Sequence, residues 1–404
     1  MMKIQINQKE QVLLGDPIYI RIETEALEDV QIYLRRFYHD GDIDYSYGVY
    51  EPVNGVVDTH KSKPIGGMYS KADVSGLFWS MESATMDYDL DLSHLDKLSE
   101  EDMGYYIIDI FQNDLHEVYR FKVIRNLPEV KVKALDDISA KFFYIPSDEP
   151  LPVMIHVAGE EGIEGVEVNA RLLASKGIAT LALPICGYGN LPGEFKELPL
   201  ENILRSIDYM KKIPIVDENR IGIMGGTRGA ELALKIASMR SDLKVLIAAN
   251  PCDVINQSVV KQITTSKSSW TYEGKPVSFS KVNKLELMKL YAGRILFQKT
   301  YAMKPCYNHE NAMIDTSKIR AKTLLLAGKH DERWDSVMMA GRIKQGLDCT
   351  VKTYEAGQIL GGPGCLPTTS FQQLSFSLGG TPEGNGISQN ASWHDIIDFI
   401  RDNL

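Results

Sequence analysis

Hydrophobic and polar positions follow two different rules along this chain. Up to about residue 125 they alternate: Ile18, Ile20 and Ile22 are interleaved with Tyr19, Arg21 and Glu23, and Val30, Ile32 and Leu34 repeat the same period of two. That period buries one face of a strand and wets the other. Turn-forming clusters at 14–17 and 39–42 separate the runs, and Tyr119, Phe121 and Val123 close the series. The pattern predicts an antiparallel β-sandwich over 1–125, with a boundary near Arg125-Asn126-Leu127-Pro128. From 129 onward the apolar runs are short and continuous, at 153–157, 178–183, 220–225, 245–249, 323–327 and 351–354. Strands of that texture belong to a parallel sheet covered on both faces. Helices are predicted between them: one opened by Pro199 over 200–212, one over 230–239 after a glycine-rich turn, and one following Ser392-Trp393-His394-Asp395. The stretch near 251–318 is too long for a simple connection and is expected to be a cap or lid, helical near 284–291. The result is an α/β domain over 129–404.

Composition narrows the function without choosing it. The 404 residues are 44% apolar and 24% charged, ordinary for a soluble globular chain. A net charge of −10 argues against nucleic-acid binding through the overall field. No apolar run approaches the roughly 20 residues of a membrane span, and neither end of the sequence carries a recognisable targeting signal, so the cytoplasm is the expected location. The five cysteines, Cys186, Cys252, Cys306, Cys349 and Cys365, are odd in number and never spaced as C-x-x-C. They predict reduced, mostly buried thiols and no metal site.

The chemistry concentrates at Ile221-Gly222-Ile223-Met224-Gly225-Gly226-Thr227-Arg228-Gly229, a strand running through a glycine-flanked polar residue into a helix. That is the form of a nucleophile elbow, where glycines two positions either side let a strained turn present its central side chain. The central residue here is Thr227, whose extra methyl crowds the hydroxyl that would attack. In a hydrolase of this layout the acid follows a late strand and a histidine follows the last one. Asp331 stands 104 residues after Thr227 in the place of the acid, and Gln358 stands 27 residues further on, where the histidine is expected. A glutamine amide does not titrate, so it cannot take a proton from Thr227. Of the eight histidines, His156 and His330 are the candidate substitute bases; Cys186 and Cys252, each after a predicted strand, are candidate displaced nucleophiles. The oxyanion candidates are Arg228, which follows the elbow residue, and Gly159 with Glu160 in the loop 158–162, where Glu160 and Glu161 would oppose an oxyanion if turned inward.

These motifs, in this order, resemble the acyl-CoA thioester hydrolases and bile acid-CoA:amino acid N-acyltransferases. The resemblance runs through Ile6-Asn7, Asp16-Pro17-Ile18-Tyr19-Ile20-Arg21 and Gly76-Leu77-Phe78-Trp79-Ser80-Met81 in the first part of the chain. It continues through Leu191-Pro192-Gly193-Glu194-Phe195, Pro199-Leu200-Glu201, Gly229-Ala230-Glu231-Leu232-Ala233-Leu234, Asp331 with Trp334, and Gly379-Gly380-Thr381-Pro382 before Ser392-Trp393. It implies an immunoglobulin-like β-sandwich followed by an α/β-hydrolase domain. It also implies a Ser or Cys nucleophile, an Asp and a His, which fall on Thr227, Asp331 and Gln358. Two functions are therefore expected. One is an acyl-thioester hydrolase or acyltransferase acting on acyl-CoA or a similar acyl thioester, with no resident cofactor. The other is a catalytically inactive relative that binds an acyl ligand or a protein partner. A chain without its base should in either case be a poor hydrolase.

Overall fold

The structure of the chain, a computed structural model, describes residues 2–7, 9–38, 42–84, 102–260, 263–281, 288, 292, 310–364, 366–369 and 378–404. The chain divides into two compact units, Met1–Leu127 with Pro363–Leu374 and Thr381–Ala391, and Pro128–Gly362 with Ser375–Gly380 and Ser392–Leu404.

In the first unit the period of two becomes two sheets. One joins β1 (Lys3–Ile6), β3 (Ile20–Glu23) and β6 (Val56–Asp58). The other runs β2 (Gln11–Leu13), β10 (Leu115–Ile124), β9 (Asp102–Gln112), β4 (Val30–Phe37), β5 (Ile43–Tyr50) and β7 (Gly66–Gly67), with β8 (Glu82–Ala84) also on β5. Ile20, Ile22 and Val57 of the first sheet and Ile32, Leu34, Ile108 and Ile110 of the second are buried, and Arg21, Gln31 and Tyr33 between them are not. The pairing is antiparallel except where β2 joins β10. A single helical turn, α1 (Gly76–Trp79), buries Trp79 and gives its indole N–H to Asp73 at 2.6 Å. The unit reaches past 125 because Thr368 donates to the Trp79 carbonyl through both its backbone amide, at 2.9 Å, and its hydroxyl, at 3.3 Å.

The second unit is built on an eight-stranded sheet: β11 (Lys131–Leu135), β12 (Ala140–Tyr144), β14 (Ala179–Leu183), β13 (Leu151–Val157), β16 (Val216–Gly226), β17 (Val245–Ala249), β22 (Lys322–Gly328) and β23 (Thr350–Tyr354). Numbered in chain order the strands lie 1-2-4-3-5-6-7-8. β12 is antiparallel to both neighbours and every pairing from β14 to β23 is parallel. Every residue of β14 and β17 is buried, as expected for strands covered on both faces. Helices α2 (Gly162–Ser175), α3 (Leu200–Met210) and α4 (Arg228–Ala237) pack by apolar stripes such as Leu200, Ile203 and Ile207. A further helix, Ser336–Gly346, follows β22, and the last helix, Pro382–Asn403, belongs to this unit only from Ser392 onward.

Between β17 and β22 the described residues contain the hairpin β18 (Gln257–Val260) and β19 (Ile263–Ser268), then β20 (Trp270–Tyr272) and β21 (Lys275–Pro276). β20 also pairs with β15 (Leu198–Pro199) ahead of α3. The helix expected near 284–291 apart from Met288, which is helical, most of the turn at 39–42, Cys306 and Cys365 lie outside the described residues. No described helix is long and apolar enough to cross a membrane.

Candidate active site

β16 ends at Gly226 and α4 begins at Arg228, so Thr227 occupies the turn alone, with φ 53° and ψ −109°. A β-branched residue is a genuine outlier there, and such strain persists only where the surroundings enforce it. The surroundings are two glycines. A Cβ on Gly225 would lie 2.4 Å from the Gly229 carbonyl carbon, and a Cβ on Gly229 would lie 2.6 Å from the Val157 carbonyl oxygen. Their absence lets helix, strand and the following loop meet backbone to backbone. The Thr227 amide is fixed to the Ala249 carbonyl at 2.8 Å.

Because β13, β14, β16, β17, β22 and β23 are parallel, the loops after them share one rim of the sheet. Thr227, Gly159, Cys186, Cys252, Asp331 and Gln358 all lie on that rim. The loop 158–162 bonds partly to itself and partly to its neighbours. Gly159 packs beside the elbow, with a notional Cβ 3.1 Å from the Gly229 nitrogen, and its own N–H is given to the Glu161 carboxylate at 2.8 Å. Burial pushes the Glu161 carboxyl upward. Glu160 accepts from Arg333 at 2.6 Å and lies 3.8 Å from Arg228 Nε; burial raises its carboxyl, and the two guanidiniums outweigh that and hold it low.

Arg228 points away from water, 1% exposed, and pairs with Glu231, 0% exposed, at 2.7 Å. Its Nη2 also donates to Ser269 Oγ and to the Gln257 carbonyl at 3.2 Å. Glu231 receives the Trp270 indole N–H at 2.7 Å and Asn256 Nδ2 at 2.8 Å. This buried cluster, in which only Arg228 Nε lacks a hydrogen-bond partner among the described residues, ties the first turn of α4 to the β18–β20 excursion. As an oxyanion donor, Arg228 therefore has its backbone amide to offer, its guanidinium being engaged elsewhere.

On the other side of the elbow, Asp331 Oδ1 accepts the Arg333 and Trp334 amides at 2.9 and 3.3 Å, and Oδ2 accepts Asn250 Nδ2 at 3.1 Å. The same Asn250 amide reaches the Gly357 carbonyl at 3.3 Å, and the Asn250 carbonyl accepts the Trp334 indole N–H at 3.2 Å. Burial pushes the Asp331 carboxyl up to about 6 against these hydrogen bonds. Gln358 follows directly, 9% exposed, its backbone N–H held by the Leu378 carbonyl at 2.6 Å. Its side-chain Nε2 is buried and has no hydrogen-bond partner among the described residues. Asn250 thus bridges the set: Asp331 and Gly357 through its side chain, and Thr227 through the preceding residue.

The substitute groups lie in less favourable settings. His156 sits within β13, where burial pushes its imidazole down to about 4 and Nδ1 has no partner among the described residues. His330 is 57% exposed and pairs with Glu355 at 3.1 Å. The Cys186 thiol is pushed up by burial and by Glu160 and Glu161. Burial pushes the Cys252 thiol up to about 12, and its sulfur both donates to the Val254 carbonyl at 3.4 Å and accepts from Asn256 at 3.1 Å. Neither sulfur is set up as a thiolate. Sequence reasoning missed Asn250 and Arg333. Asn250 could have been found as the polar residue ending strand 245–249 before a proline; Arg333 carried no comparable signal.

A sheet of order 1-2-4-3-5-6-7-8, with a strained strand-to-helix turn after its fifth strand and a buried aspartate after its seventh, defines the second unit as an α/β hydrolase. The whole chain belongs to the BAAT and acyl-CoA thioester hydrolase family: the family's C-terminal region matches residues 198–404 and its N-terminal region residues 15–134. The chain is 25% identical to the bile acid-CoA:amino acid N-acyltransferase of Mus musculus over 97% of its length and 96% of the relative's. It is 26% identical to acyl-coenzyme A thioesterase 1 of Mus musculus, covering 87% and 84% of the two chains. Among solved structures, an acetyl xylan esterase from Paenibacillus sp. R4 is similar at 16% identity and a TM-score of 0.40, covering 79% of this chain and 87% of that one.

Proposed function

We propose that this protein receives an acyl thioester such as acyl-CoA at the Thr227 elbow and holds it without the acid–base turnover of a complete triad. The observation that carries the reading is the occupancy of Asp331: both its oxygens are bonded, to Asn250 and to two backbone amides. None of those donors titrates, and the position after the last strand is a glutamine. The residues that would hand a proton from hydroxyl to leaving thiol are replaced by a static hydrogen-bond network. The loop 158–162 supports the same reading, since its Gly159 amide is given to Glu161. Loss of triad members leaves roughly 10³–10⁴-fold acceleration over water in a working serine hydrolase, so a slow residual release is compatible with it. We read the first unit as an immunoglobulin-like sandwich and the insertion near 251–318 as a cap or lid.

One observation favours a second reading, in which Thr227 accepts the acyl group and passes it to water or an amine. Thr227 keeps a backbone conformation that costs about 1–3 kcal/mol, and a purely binding site has no need of it. Equilibrium dialysis with hexadecanoyl-CoA, followed by analysis of the recovered ligand, separates the two. Saturable binding with the thioester recovered intact supports the first; stoichiometric thiol release with acyl-protein trapped on Thr227 supports the second and overturns the first.

A further inference from the structure

The Gln358 side chain presents a problem that its neighbours do not solve. Its residue is 9% exposed, and its Nε2 has no acceptor among the described residues. A buried donor left unpaired costs roughly 1–3 kcal/mol and calls for an explanation. The backbone around it is rigid. Gly357 is so closely packed that a Cβ there would meet the Leu378 carbonyl oxygen at 2.1 Å, and the Gln358 amide is bonded to that carbonyl. Two polar residues of the same rim are already bonded: Asn250 to Asp331 and the Gly357 carbonyl, and Asp331 to Asn250 and two backbone amides. The orphan donor therefore belongs to a residue on the rim that carries Thr227, its backbone bonded and its Nε2 without an acceptor among the described residues.

We infer that Gln358 is a ligand-binding residue whose Nε2 donates a hydrogen bond to the carbonyl oxygen of the bound acyl thioester. This rests on the proposed function and adds the group that recognises the ligand. A neutral amide donor matches a neutral carbonyl. It polarises that carbonyl only as an uncharged donor does, and it holds the ligand with no proton to exchange. On this view the residue in the base position has changed from moving a proton to reading a carbonyl.

The test crosses a protein change with a ligand change. Hexadecanoyl-CoA and S-hexadecyl-CoA differ by C=O against CH₂ at one atom, and Gln358→Met removes the donor while keeping length. Thiol release is followed in the same samples so that only intact ligand is counted. The unmodified protein should bind the thioester about tenfold more tightly than the thioether, and Gln358→Met should bind both about equally. Each ratio is internal to one protein, so a smaller folded fraction cancels. Should Gln358→Met be too poorly folded to titrate, Gln358→Asn, which withdraws the amide by one methylene, should show the same collapse of the ratio. Retention of the full preference in the variant, or no preference in the unmodified protein, overturns the assignment while leaving acyl binding intact. Failure of the unmodified protein to bind either ligand overturns the functional reading beneath it. A second measurement guards the first. Gln358→Met should melt at a higher temperature than the unmodified protein without ligand, the orphan donor being gone, and should gain less from added hexadecanoyl-CoA. A lower melting temperature together with an undiminished ligand gain contradicts the proposal.

Discussion

The elbow and the loops on the same rim are built differently. At the elbow every steric requirement of an α/β hydrolase is met: Gly225 and Gly229 meet backbone to backbone, Thr227 sits strained between them, and the helix behind is locked by the Arg228–Glu231 pair. Elsewhere on the rim, the loops after β22 and β23 hold a carboxylate bonded to Asn250 and a glutamine with an orphan amide. Frame and chemistry are thus separable. The frame is defended by packing, where one added carbon collides with backbone; the chemistry turns on which side chain occupies a single buried position.

Four perturbations sharpen that contrast, beginning with the strongest. Arg228→Met strands the Glu231 carboxylate in a site with no water access and should lower folding stability by about 3–5 kcal/mol in urea denaturation. A loss below about 1 kcal/mol would mean that the cluster does not lock the helix. Gly225→Ala should cost about 3 kcal/mol, because its Cβ would sit 2.4 Å from the Gly229 carbonyl carbon and neither backbone can yield. Native-like stability for that variant would refute the close approach.

The third perturbation is pH, and it belongs to the other loop. The Asp331 carboxyl rises from its ordinary 3.8 to about 6 in the folded protein through burial, so the folded state holds this proton more tightly than the unfolded chain. Its ionisation therefore works against folding: no penalty applies below about 3.8, the penalty grows as pH rises through the window to 6, and it is complete above. Relative to Asp331→Asn, the unmodified protein should lose on the order of 2–3 kcal/mol across that window. A flat difference between the two would show that Asp331 is ionised in the fold at no cost. Thr227→Gly is the gentlest change and has the opposite sign. It removes the strain at φ 53° and should stabilise the protein by about 1 kcal/mol, and destabilisation would mean that the threonine side chain is held by contacts.

Much of the frame was legible from the chain because it is made of local rules. The period-two runs of the first unit, the continuous runs of the second and the glycines around Thr227 each act within a few residues, and the structure carries strands over Val245–Ala249 and Thr350–Tyr354 close to where the runs lie. What escaped was assembled from distant pieces. Asn250 matters because β17 lies beside β22 and brings it to Asp331, 81 residues away in sequence. Arg333 matters because it meets Glu160 across 173 residues. The self-bonded Gly159 amide escaped for another reason: pattern alone does not say whether a loop glutamate turns to water or back onto its own backbone.

The most direct test of the central claim is single-turnover thiol release from hexadecanoyl-CoA by the unmodified chain and by Gln358→His, each with and without Thr227→Ala. The expected result is at most slow release from the unmodified chain, and much faster release from Gln358→His that disappears when Thr227→Ala is added, because an imidazole in place of the amide would restore a base to a competent hydroxyl. Rapid release by the unmodified chain that Thr227→Ala abolishes would contradict it, showing that the site already has its base.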